Sequence, residues 1–442
     1  MPGGLLTDLY ELNMAVSYLR RAMTGLATFS LFTRRLPAQR GFLVAVGLED
    51  CLAFLEGFSF SSEDLAWLAA NQGLGAQDLA ALERLRFTGE VWAVPEGAAV
   101  FAGEPLLEVT APVAEAQLVE TVLLNQVTFQ TSVATKAARC VLAAAGAQLV
   151  DFSFRRTQGL EAGLAAARAS AIAGFAATSN TEAARRYGLT ATGTMAHSFI
   201  EAFGSEQQAF TAFAEDFPAK TIFLVDTYDT ERGVQAAIEV ARRLGLERPA
   251  GIRLDSGDLA ALAVTARRLL DEAGFGGVRI VASGGLDEYA IAALVAAGAP
   301  IDTYGVGTKM GTSADAPYLD TAYKLTEYDG RPVMKLSEGK ATLPGAKQVH
   351  RGSAGDLLAL RREPPPPGHR PLLIPVMRHG RRLHPPEPLA ALKQRCAAEL
   401  AALPAASRAL RSPSPVPVAI SPALAALRDR LAGRLRQHAG AG

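Results

Sequence analysis

The pattern of apolar and polar positions changes twice along the chain, which predicts three regions of different architecture. The first region combines helical patterns with an alternating strand pattern over 27–33. Between 87 and 110 short apolar stretches are separated by Pro-Glu-Gly and Gly-Glu-Pro turns, so a small sheet is expected there. The helical patterns of this region are 7–21, 50–55, 62–70 with Ser62 as its N-cap, and a long one over 113–145.

In the middle region, short apolar, strand-like segments alternate with alanine-rich helical segments, as in successive β–α units. This alternation predicts a parallel sheet, and seven repeats favour a barrel close to the (β/α)8 form. An open, doubly wound sheet is the alternative. The predicted strands are 148–154, 171–179, 189–195, 221–229, 251–256, 279–285 and 303–308.

The last region differs again, with strand-like pieces over 323–349 and helical patterns over 387–404 and 421–437. Between them a proline run, Pro364 to Pro367, lies in a stretch rich in arginine and histidine, 361–388. We expect this stretch to be a solvated, poorly ordered loop and not a ligand site. The predicted domains are therefore 1–130, 131–320 and 321–442.

Composition and charge exclude several classes of protein. With 49% hydrophobic and 20% charged residues, the chain has a globular balance and is not largely disordered. Its 44 basic and 44 acidic residues cancel, which argues against a nucleic-acid-binding protein. No apolar run approaches the roughly 18 residues of a membrane helix, and the first residues show no secretory signal, so we expect a cytoplasmic protein. The three cysteines are far apart and predict neither a disulfide framework nor a zinc site.

Polar or glycine residues follow each of the seven predicted strands. In parallel β–α folds ligands bind at the carboxyl ends of the strands, so these residues are expected to share one rim. Each one alone is a weak signal, because an Asp after a strand is often a helix N-cap and Gly-Gly is often only a turn. In strand order the residues are Asp151, Phe152, Arg155 and Arg156; Ser179 and Asn180; His197 and Ser198; Asp226, Tyr228 and Asp229; Arg253, Asp255, Ser256 and Asp258; Ser283, Gly284 and Gly285; and Gly305, Gly307 and Thr308.

The residue types on this rim suit three kinds of ligand. Glycines after the last two strands let backbone N–H groups approach a phosphate, and arginines clamp phosphates or a carboxylate in bidentate fashion. Asp226 and Asp255 suit Mg²⁺ or a sugar hydroxyl, and Phe152 offers an aromatic face. Together they predict a phosphorylated sugar, an anionic flat ring and a divalent metal.

Several short motifs in a fixed order carry a resemblance to a known family. The chain resembles nicotinate phosphoribosyltransferase from about residue 5 to 351, whereas the match beyond 351 is thin. The ordered set is far more specific than any one motif. The motifs are TDLY (7–10), DFxxRR (151–156), GTMAHSF (193–199), DTYD (226–229), RLDSGD (253–258), ASGGL (282–286), YGVGT (304–308), KLSxGK (335–340) and PGxKQV (344–349).

The resemblance implies an irregular, seven-stranded TIM-like α/β barrel that carries the active site, with a smaller α/β sandwich domain built from both chain ends. It implies condensation of nicotinate with 5-phosphoribosyl 1-pyrophosphate, giving nicotinate mononucleotide and pyrophosphate in NAD salvage. Hydrolysis of ATP, with Mg²⁺ as cofactor, is coupled through a phosphorylated histidine, which the resemblance places at His197. Imidazole suits this role because it is partly neutral near pH 7 and is then nucleophilic.

The resemblance also implies a homodimer with shared active sites and assigns the nicotinate pocket. Phe152 and Tyr10 are implied to sandwich the pyridine ring, with Tyr10 supplied by the neighbouring subunit. Arg253 is implied to pair with the nicotinate carboxylate. Asn180 stands where the related nicotinamide-using enzyme has an aspartate, and a neutral amide there does not repel an anionic substrate.

The phosphate groups are assigned in the same way. Arg155 and the metal suit the leaving pyrophosphate. Asp226 is expected either to orient His197 or to contact the ribose, and Asp255 is its partner in catalysis and in the candidate magnesium site. The implied phosphate contacts are Ser283, Gly284, Gly285, Gly305, Gly307 and Thr308 for the ribose 5-phosphate, and Arg34, Lys335 and Lys340 across the dimer interface.

Other functions stay open from the sequence. The nearest alternatives are use of nicotinamide, or of quinolinate with decarboxylation, for which more cations are expected around a second carboxylate. A non-catalytic barrel that binds a nucleotide or sugar phosphate is the alternative from another class, and it predicts binding without turnover.

Overall fold

The chain divides into two compact units, one of which is continuous. The computed structural model describes residues 3–246, 251–337 and 342–439. One unit is Val133–Pro317, and the other combines the two chain ends, up to Ser132 and from Tyr318. The unit built from both ends is the larger of the two, so the prediction of a smaller second domain is wrong.

The N-terminal end contributes helices and a set of antiparallel strands. The predicted long helix over 113–145 is two helices, which are separated at Val119. Ser61, and not Ser62, caps the third helix, because its hydroxyl accepts from the Asp64 N–H in a capping box. The elements are α1 Leu9–Arg20, β1 Leu26–Thr33, β2 Leu43–Val44, α2 Leu48–Gly57, α3 Ser62–Gln72, α4 Ala76–Arg84, β3 Glu90–Ala93, β4 Ala99–Val100, β5 Pro105–Pro112, α5 Val113–Leu118 and α6 Glu120–Ala143.

The unit Val133–Pro317 contains a six-stranded parallel sheet in the order β7-β6-β11-β10-β9-β8. Its strands follow the predicted β–α alternation, and helices connect them. The elements are β6 Gln148–Asp151, α7 Leu160–Ala173, β7 Ala177–Thr178, α8 Thr181–Tyr187, α9 His197–Glu201, α10 Glu206–Asp216, β8 Ile222–Leu224, α11 Thr230–Arg243, β9 Gly251–Leu254, α12 Leu259–Glu272, β10 Arg279–Ala282, α13 Glu288–Ala296, β11 Thr303–Val306 and α14 Thr308–Gly311.

A closed seven-stranded barrel is not what this sheet forms. The predicted strand 189–195 contributes only one bridge, between Ala191 and Thr178, and only Met195 among its seven residues is buried. Strands of parallel sheets are normally buried on both faces, which this small, polar segment does not support. The predicted strand 171–179 is shorter as well, because its first part is the end of α7. The sheet is therefore a half-barrel with β7 and β8 at its ends.

The C-terminal end completes the larger unit. β12, β13, β17 and β18 join β1, β5 and β3 in a seven-stranded antiparallel sheet, and β14, β15, β16 and β19 form a second sheet. Apolar side chains from both chain ends share one core. The elements are β12 Thr321–Tyr328, β13 Arg331–Pro332, β14 Lys347–Gly352, β15 Gly355–Leu360, β16 Arg370–Pro371, β17 Ile374–Arg378, β18 Arg381–Arg382, α15 Leu389–Ala402, α16 Ala405–Arg408, β19 Val418–Ile420 and α17 Pro422–Ala439.

The proline-rich stretch 361–388 is not the poorly ordered loop expected from its composition. It contains β16, β17 and β18, and β17 pairs with the buried strand β3. Leu372, Leu373 and Met377 are buried in the core, and their burial holds this stretch against the sheet. Within the described residues, no helix has both the length and the apolar content needed to cross a membrane.

Candidate active site

A cavity of about 420 Å³ opens at the carboxyl ends of β6 to β9. Five of the predicted site residues line it: Phe152, Arg155, His197, Arg253 and Asp255. Its other lining residues are Ser179, Gly193, Thr194, Met195, Ala196 and Leu224. The parallel sheet therefore brings together residues that are up to about a hundred positions apart in the chain, as expected for strand ends in this architecture.

Arg253 is the most tightly held cation of this cavity. Its Nε donates to Ser283 Oγ at 2.7 Å, its Nη1 to Thr194 Oγ1 at 3.0 Å and its Nη2 to Asp255 Oδ1 at 2.6 Å. The guanidinium carbon lies 5.4 Å from the centre of the Phe152 ring. With 13% of its side chain exposed, Arg253 presents a fixed positive charge beside an aromatic face.

Asp255 is the carboxylate on which this hydrogen-bond network converges. Its Oδ1 accepts from Arg253 and from the Ser283 hydroxyl, and its Oδ2 lies 3.8 Å from His197 Nε2. Burial alone would raise the pKa of Asp255, but the Ser283 hydroxyl and the Arg253 charge outweigh it and lower that pKa below its ordinary value. Asp255 is therefore ionised at neutral pH.

This pKa shift predicts how Asp255 contributes to stability. A carboxyl whose pKa is lower in the folded state stabilises above its unfolded pKa, about 3.9, and loses that contribution as the pH falls through the folded value. We expect the melting temperature of Asp255→Asn to lie below that of the wild type by a constant amount above about pH 5, and the gap to close below about pH 4.

Melting curves between pH 3 and 8 test this expectation. Asp216→Asn, at an exposed position at the end of α10, is the matched control and should follow the wild type throughout. A gap for Asp255→Asn that widens on acidification would contradict the assignment.

His197 begins the short helix α9 and faces the cavity. Its Nδ1 lies 3.2 Å from the Thr227 hydroxyl, and 39% of its side chain is exposed. Thr227 and Asp255 thus contact opposite nitrogens of the ring and fix its orientation, while an incoming ligand still has access to it.

Asp226 does not line the cavity but supports the loop that carries Asp255. Its Oδ2 accepts from the Asp255 N–H at 2.8 Å and from the Ser256 hydroxyl at 2.6 Å. Its Oδ1 is buried and has no hydrogen-bond partner among the described residues. An unpartnered carboxylate oxygen is costly to bury, so a donor or cation from a ligand would fit there.

Two other strand-end aspartates are ordinary helix caps. Asp229 accepts from the Arg232 N–H at the start of α11, and Asp258 accepts from the first N–H groups of α12. The alternative interpretation of a strand-end Asp as an N-cap therefore applies to these two residues, but not to Asp226 or Asp255.

The glycine-rich segments at the ends of β10 and β11 differ in solvent exposure. Gly284, Gly285 and Thr308 are exposed, whereas Gly305 is buried. Ser283 is only 2% exposed, and its hydroxyl is engaged with Arg253 and Asp255, so it does not face solvent as a free phosphate donor. Gly284 has φ +96°, and a Cβ there would lie 1.9 Å from the Asp255 carbonyl oxygen, so this loop position requires glycine.

Asn180 has a structural position that the sequence did not indicate. Its side-chain oxygen accepts from the Ala183 N–H as the N-cap of α8, and its amide donates to the Gly163 carbonyl. It is 0% exposed and does not line the cavity. Both ends of the amide therefore serve the backbone in this structure, and the expected role of Asn180 in substrate selection stays a prediction.

Three further predicted residues lie in the unit built from the chain ends. Tyr10 is half exposed on α1, and burial, helped by Glu120 and Glu11, raises the pKa of its hydroxyl. Arg34 pairs with Asp320 at 2.8 Å. Lys335 is exposed, and Lys340 lies outside the described residues.

Sequence reasoning missed two hydroxyls that hold the functional side chains. Thr194 accepts from Arg253, and Thr227 contacts His197. Both lie inside motifs that the sequence showed, GTMAHSF and DTYD, but the sequence does not tell whether a threonine hydroxyl contacts another side chain or caps a helix.

Comparison with known proteins agrees with this arrangement. Residues 5–128 match the model of the nicotinate phosphoribosyltransferase N-terminal domain, and 366–428 match that of its C-terminal domain. Residues 133–322 match the C-terminal domain of quinolinate phosphoribosyl transferase. The chain is 47% identical to nicotinate phosphoribosyltransferase pncB2 of Mycobacterium tuberculosis over 98% of this chain and 93% of that protein. The chain belongs to the nicotinate phosphoribosyltransferase family.

Two further comparisons extend this result to another bacterium and to a solved structure. The chain is 44% identical to nicotinate phosphoribosyltransferase of Bacillus subtilis, over 80% of this chain and 75% of that protein. The crystal structure of human nicotinic acid phosphoribosyltransferase aligns with a TM-score of 0.86 and 31% identity, covering 97% of this chain and all of that one. The family that the ordered motifs indicated is thereby confirmed.

Proposed function

We propose that this chain transfers the phosphoribosyl group of 5-phosphoribosyl 1-pyrophosphate to nicotinate, giving nicotinate mononucleotide and pyrophosphate in NAD salvage. Family membership supports the reaction class. The observation that carries the proposal is the cavity that gathers Phe152, Arg155, His197, Arg253 and Asp255 at one end of the parallel sheet.

Arg253 and Phe152 account for recognition of a flat anion. A nicotinate carboxylate paired with Arg253 would place its pyridine ring beside the Phe152 face, since the guanidinium already lies over that ring. Nicotinamide lacks the charge and gains less from Arg253. Quinolinate brings a second carboxylate, for which Arg155 is the other cation lining the cavity within the described residues. Because this proposal assigns Arg155 to the leaving pyrophosphate, Arg253 is the one lining arginine left for a ring carboxylate among the described residues, which favours nicotinate over quinolinate.

The packing of Phe152 on Gly305 gives a direct test of this pocket. A Cβ on Gly305 would lie 2.5 Å from a ring carbon of Phe152, so Gly305→Ala forces the ring to move. Overpacking of this kind costs about 1–3 kcal/mol. We expect the KM for nicotinate to rise at least about fivefold, in steady-state assays at saturating 5-phosphoribosyl 1-pyrophosphate.

Gly433→Ala is the control, because a Cβ there has open space within α17 and helix propensity favours alanine. It should leave the KM for nicotinate unchanged. Equal kinetics for Gly305→Ala and Gly433→Ala would remove Phe152 from the nicotinate pocket.

Ribosyl transfer passes through an oxocarbenium-like state, so positioning of the ring nitrogen and stabilisation of pyrophosphate supply the catalysis. Arg155 is exposed at the cavity and has no partner among the described residues, so its charge is available to the leaving group. The exposed loop at Gly284 and Gly285, together with half-buried Gly307 and exposed Thr308, forms the proposed ribose 5-phosphate contacts.

We extend the proposal to ATP coupling through His197. With its Nδ1 proton donated to Thr227 Oγ1, the ring carries a lone pair on Nε2. Attack of Nε2 on the γ-phosphorus forms the N–P bond, breaks the bond to the bridging oxygen and releases ADP. Water later hydrolyses the phosphohistidine to phosphate. Asp255, 3.8 Å from Nε2, stabilises the positive charge on the ring during attack.

Mg²⁺ fits the acidic residues beside this histidine. Asp226 and Asp255 would hold it together with substrate phosphates, in keeping with its preference for one or two carboxylates. The unpartnered Asp226 Oδ1 supplies an available ligand atom. The described residues contain no group of three or more His, Cys, Asp or Glu side chains placed to hold a metal by themselves. When bound, Mg²⁺ neutralises charge on the phosphates.

The homodimer is part of the same proposal. Tyr10 is half exposed on α1, which leaves its ring free to cover the nicotinate of a neighbouring subunit. Arg34 and Lys335 are the corresponding cations for phosphates across the interface. Asp320 already neutralises Arg34 in the single chain, so this role requires phosphate to compete with a carboxylate.

One assay tests the function as a whole. Pyrophosphate release is measured with nicotinate, nicotinamide or quinolinate, each with and without ATP. We expect release with nicotinate, with stimulation by ATP. If only quinolinate, or only nicotinamide, gives release, the enzyme uses that substrate instead of nicotinate. Substrate binding with no release would identify a non-catalytic barrel.

A further inference from the structure

Four charged side chains that the proposed chemistry does not use form a largely buried network in the unit Val133–Pro317. Lys136 Nζ lies 2.6 Å from Glu288 Oε2 and 3.0 Å from Asp315 Oδ1. Arg139 Nε lies 3.0 Å from Glu288 Oε1, and its Nη2 donates to the Tyr289 hydroxyl. Two cations and two anions therefore balance in charge.

Burial makes this network expensive to maintain. Lys136 is 2% exposed and lies on a stretch of α6 whose other residues are mostly small, and Glu288 is 0% exposed. Glu288 and Asp315 outweigh the effect of burial and raise the pKa of Lys136, so the lysine stays charged. Apolar residues of similar volume often stabilise a fold as well as a buried ion pair does. Stability alone therefore does not account for a lysine at this position.

The two anions lie on the segments that follow the two glycine-rich loops. Glu288 is the first residue of α13, just after Ser283-Gly284-Gly285. Asp315 follows α14, which begins directly after Gly305-Val306-Gly307. One ammonium group thus contacts both segments at once. Outside the buried network, Lys309 of α14 also pairs with Asp287 at 2.9 Å, a second link between the same two segments.

We propose that Lys136 is a positioning residue that fixes the distance between the two glycine-rich loops, and so sets the affinity for the 5-phosphate of 5-phosphoribosyl 1-pyrophosphate. The proposed phosphate role of these loops underlies this inference. Lys136 does not touch the substrate. It acts through Glu288 and Asp315, because a preorganised pair of loops binds an anion without a cost of ordering.

The double variant Lys136→Met/Asp315→Asn tests this role by removing one charge of each sign, while Arg139 and Glu288 still pair. We expect its KM for 5-phosphoribosyl 1-pyrophosphate to rise at least tenfold while its KM for nicotinate stays within twofold. The matched control is Arg268→Met/Glu272→Gln, which removes an exposed ion pair from α12. An unchanged KM for 5-phosphoribosyl 1-pyrophosphate, or equal rises in both KM values, would overturn the proposal.

Asp315→Asn alone is a milder variant, because this side chain is near the surface and the pair of Lys136 with Glu288 remains. The same selective change in KM, smaller in size, is expected if the double variant does not fold. A single variant that folds and changes neither KM would contradict the positioning role.

Hydrogen exchange separates this inference from the proposed function. In the absence of substrates, amides in 283–288 and 303–315 should exchange at least tenfold faster in the double variant than in the wild type and the control. If the wild type makes no nicotinate mononucleotide, the proposed function fails, and exchange still decides the positioning role. Unchanged exchange in both segments would refute that role even in an active enzyme.

Discussion

His197→Ala will lose ATP hydrolysis, and with it the stimulation of nicotinate transfer by ATP, while slow transfer without ATP persists. Among the described residues that line the cavity, His197 is the only histidine, so no second imidazole there can replace it as the proposed phosphoryl acceptor. Removal of a covalent nucleophile commonly costs at least about 10³-fold in rate, and we expect a loss of this size in ATP hydrolysis. Arg253, Phe152 and Arg155 remain, so binding and transfer survive.

Two measurements check this result. ATP hydrolysis is followed in the presence of nicotinate and 5-phosphoribosyl 1-pyrophosphate, and acid-labile phosphate is measured on the protein after incubation with ATP labelled in the γ-phosphate. His384→Ala, at an exposed position of the other unit, is the control and should match the wild type. Full hydrolysis or labelled protein in His197→Ala would refute the phosphohistidine assignment.

Arg253→Ala will raise the KM for nicotinate by about 100-fold. A hydrogen bond between the Arg253 guanidinium and the nicotinate carboxylate joins two charged groups and is worth about 1.5–3 kcal/mol, of which the upper end corresponds to about 100-fold. Truncation also frees Ser283, Thr194 and Asp255, which Arg253 holds at present. Some decrease in kcat is expected to accompany the change in KM, because Asp255 then loses its fixed position beside His197.

Nicotinamide serves as the internal control for this variant. Because nicotinamide has no carboxylate, its KM should change far less than the KM for nicotinate. The discrimination between the two substrates should therefore fall. Arg253→Lys keeps the charge without the planar fork and should recover only part of the affinity. Arg268→Ala, an exposed arginine of α12, controls for loss of charge. An unchanged KM for nicotinate in Arg253→Ala would remove Arg253 from the pocket.

The strand-end aspartates show where sequence reasoning reached its limit. Asp226, Asp229, Asp255 and Asp258 follow neighbouring strands and are identical in type. Asp229 and Asp258 turn their carboxylates to the first N–H groups of a helix, whereas Asp255 turns to Arg253 and His197. The direction of each carboxylate depends on the backbone of its loop, which spacing in the sequence does not report.

Two predictions of local structure were wrong because the composition of a segment does not show which neighbouring elements it packs against. The predicted strand 189–195 has large apolar side chains only at its two ends, Leu189 and Met195, and only Ala191 is bridged to the sheet. The proline-rich stretch has the composition of a loop but supplies Leu372, Leu373 and Met377 to the core. In both cases burial against neighbouring elements decided the outcome, as it does generally for strands.

The chain by itself determined the β–α alternation of the middle region, the ordered motifs and hence the family, because these depend on residue type and local spacing. Only the tertiary structure decided which residues meet. It placed His197, Arg253 and Asp255 in one cavity, made Asn180 a cap and buried Ser283 beneath an arginine. It also paired Lys136 with two distant carboxylates. Such contacts join segments far apart in the chain, and their geometry follows from how the sheet packs.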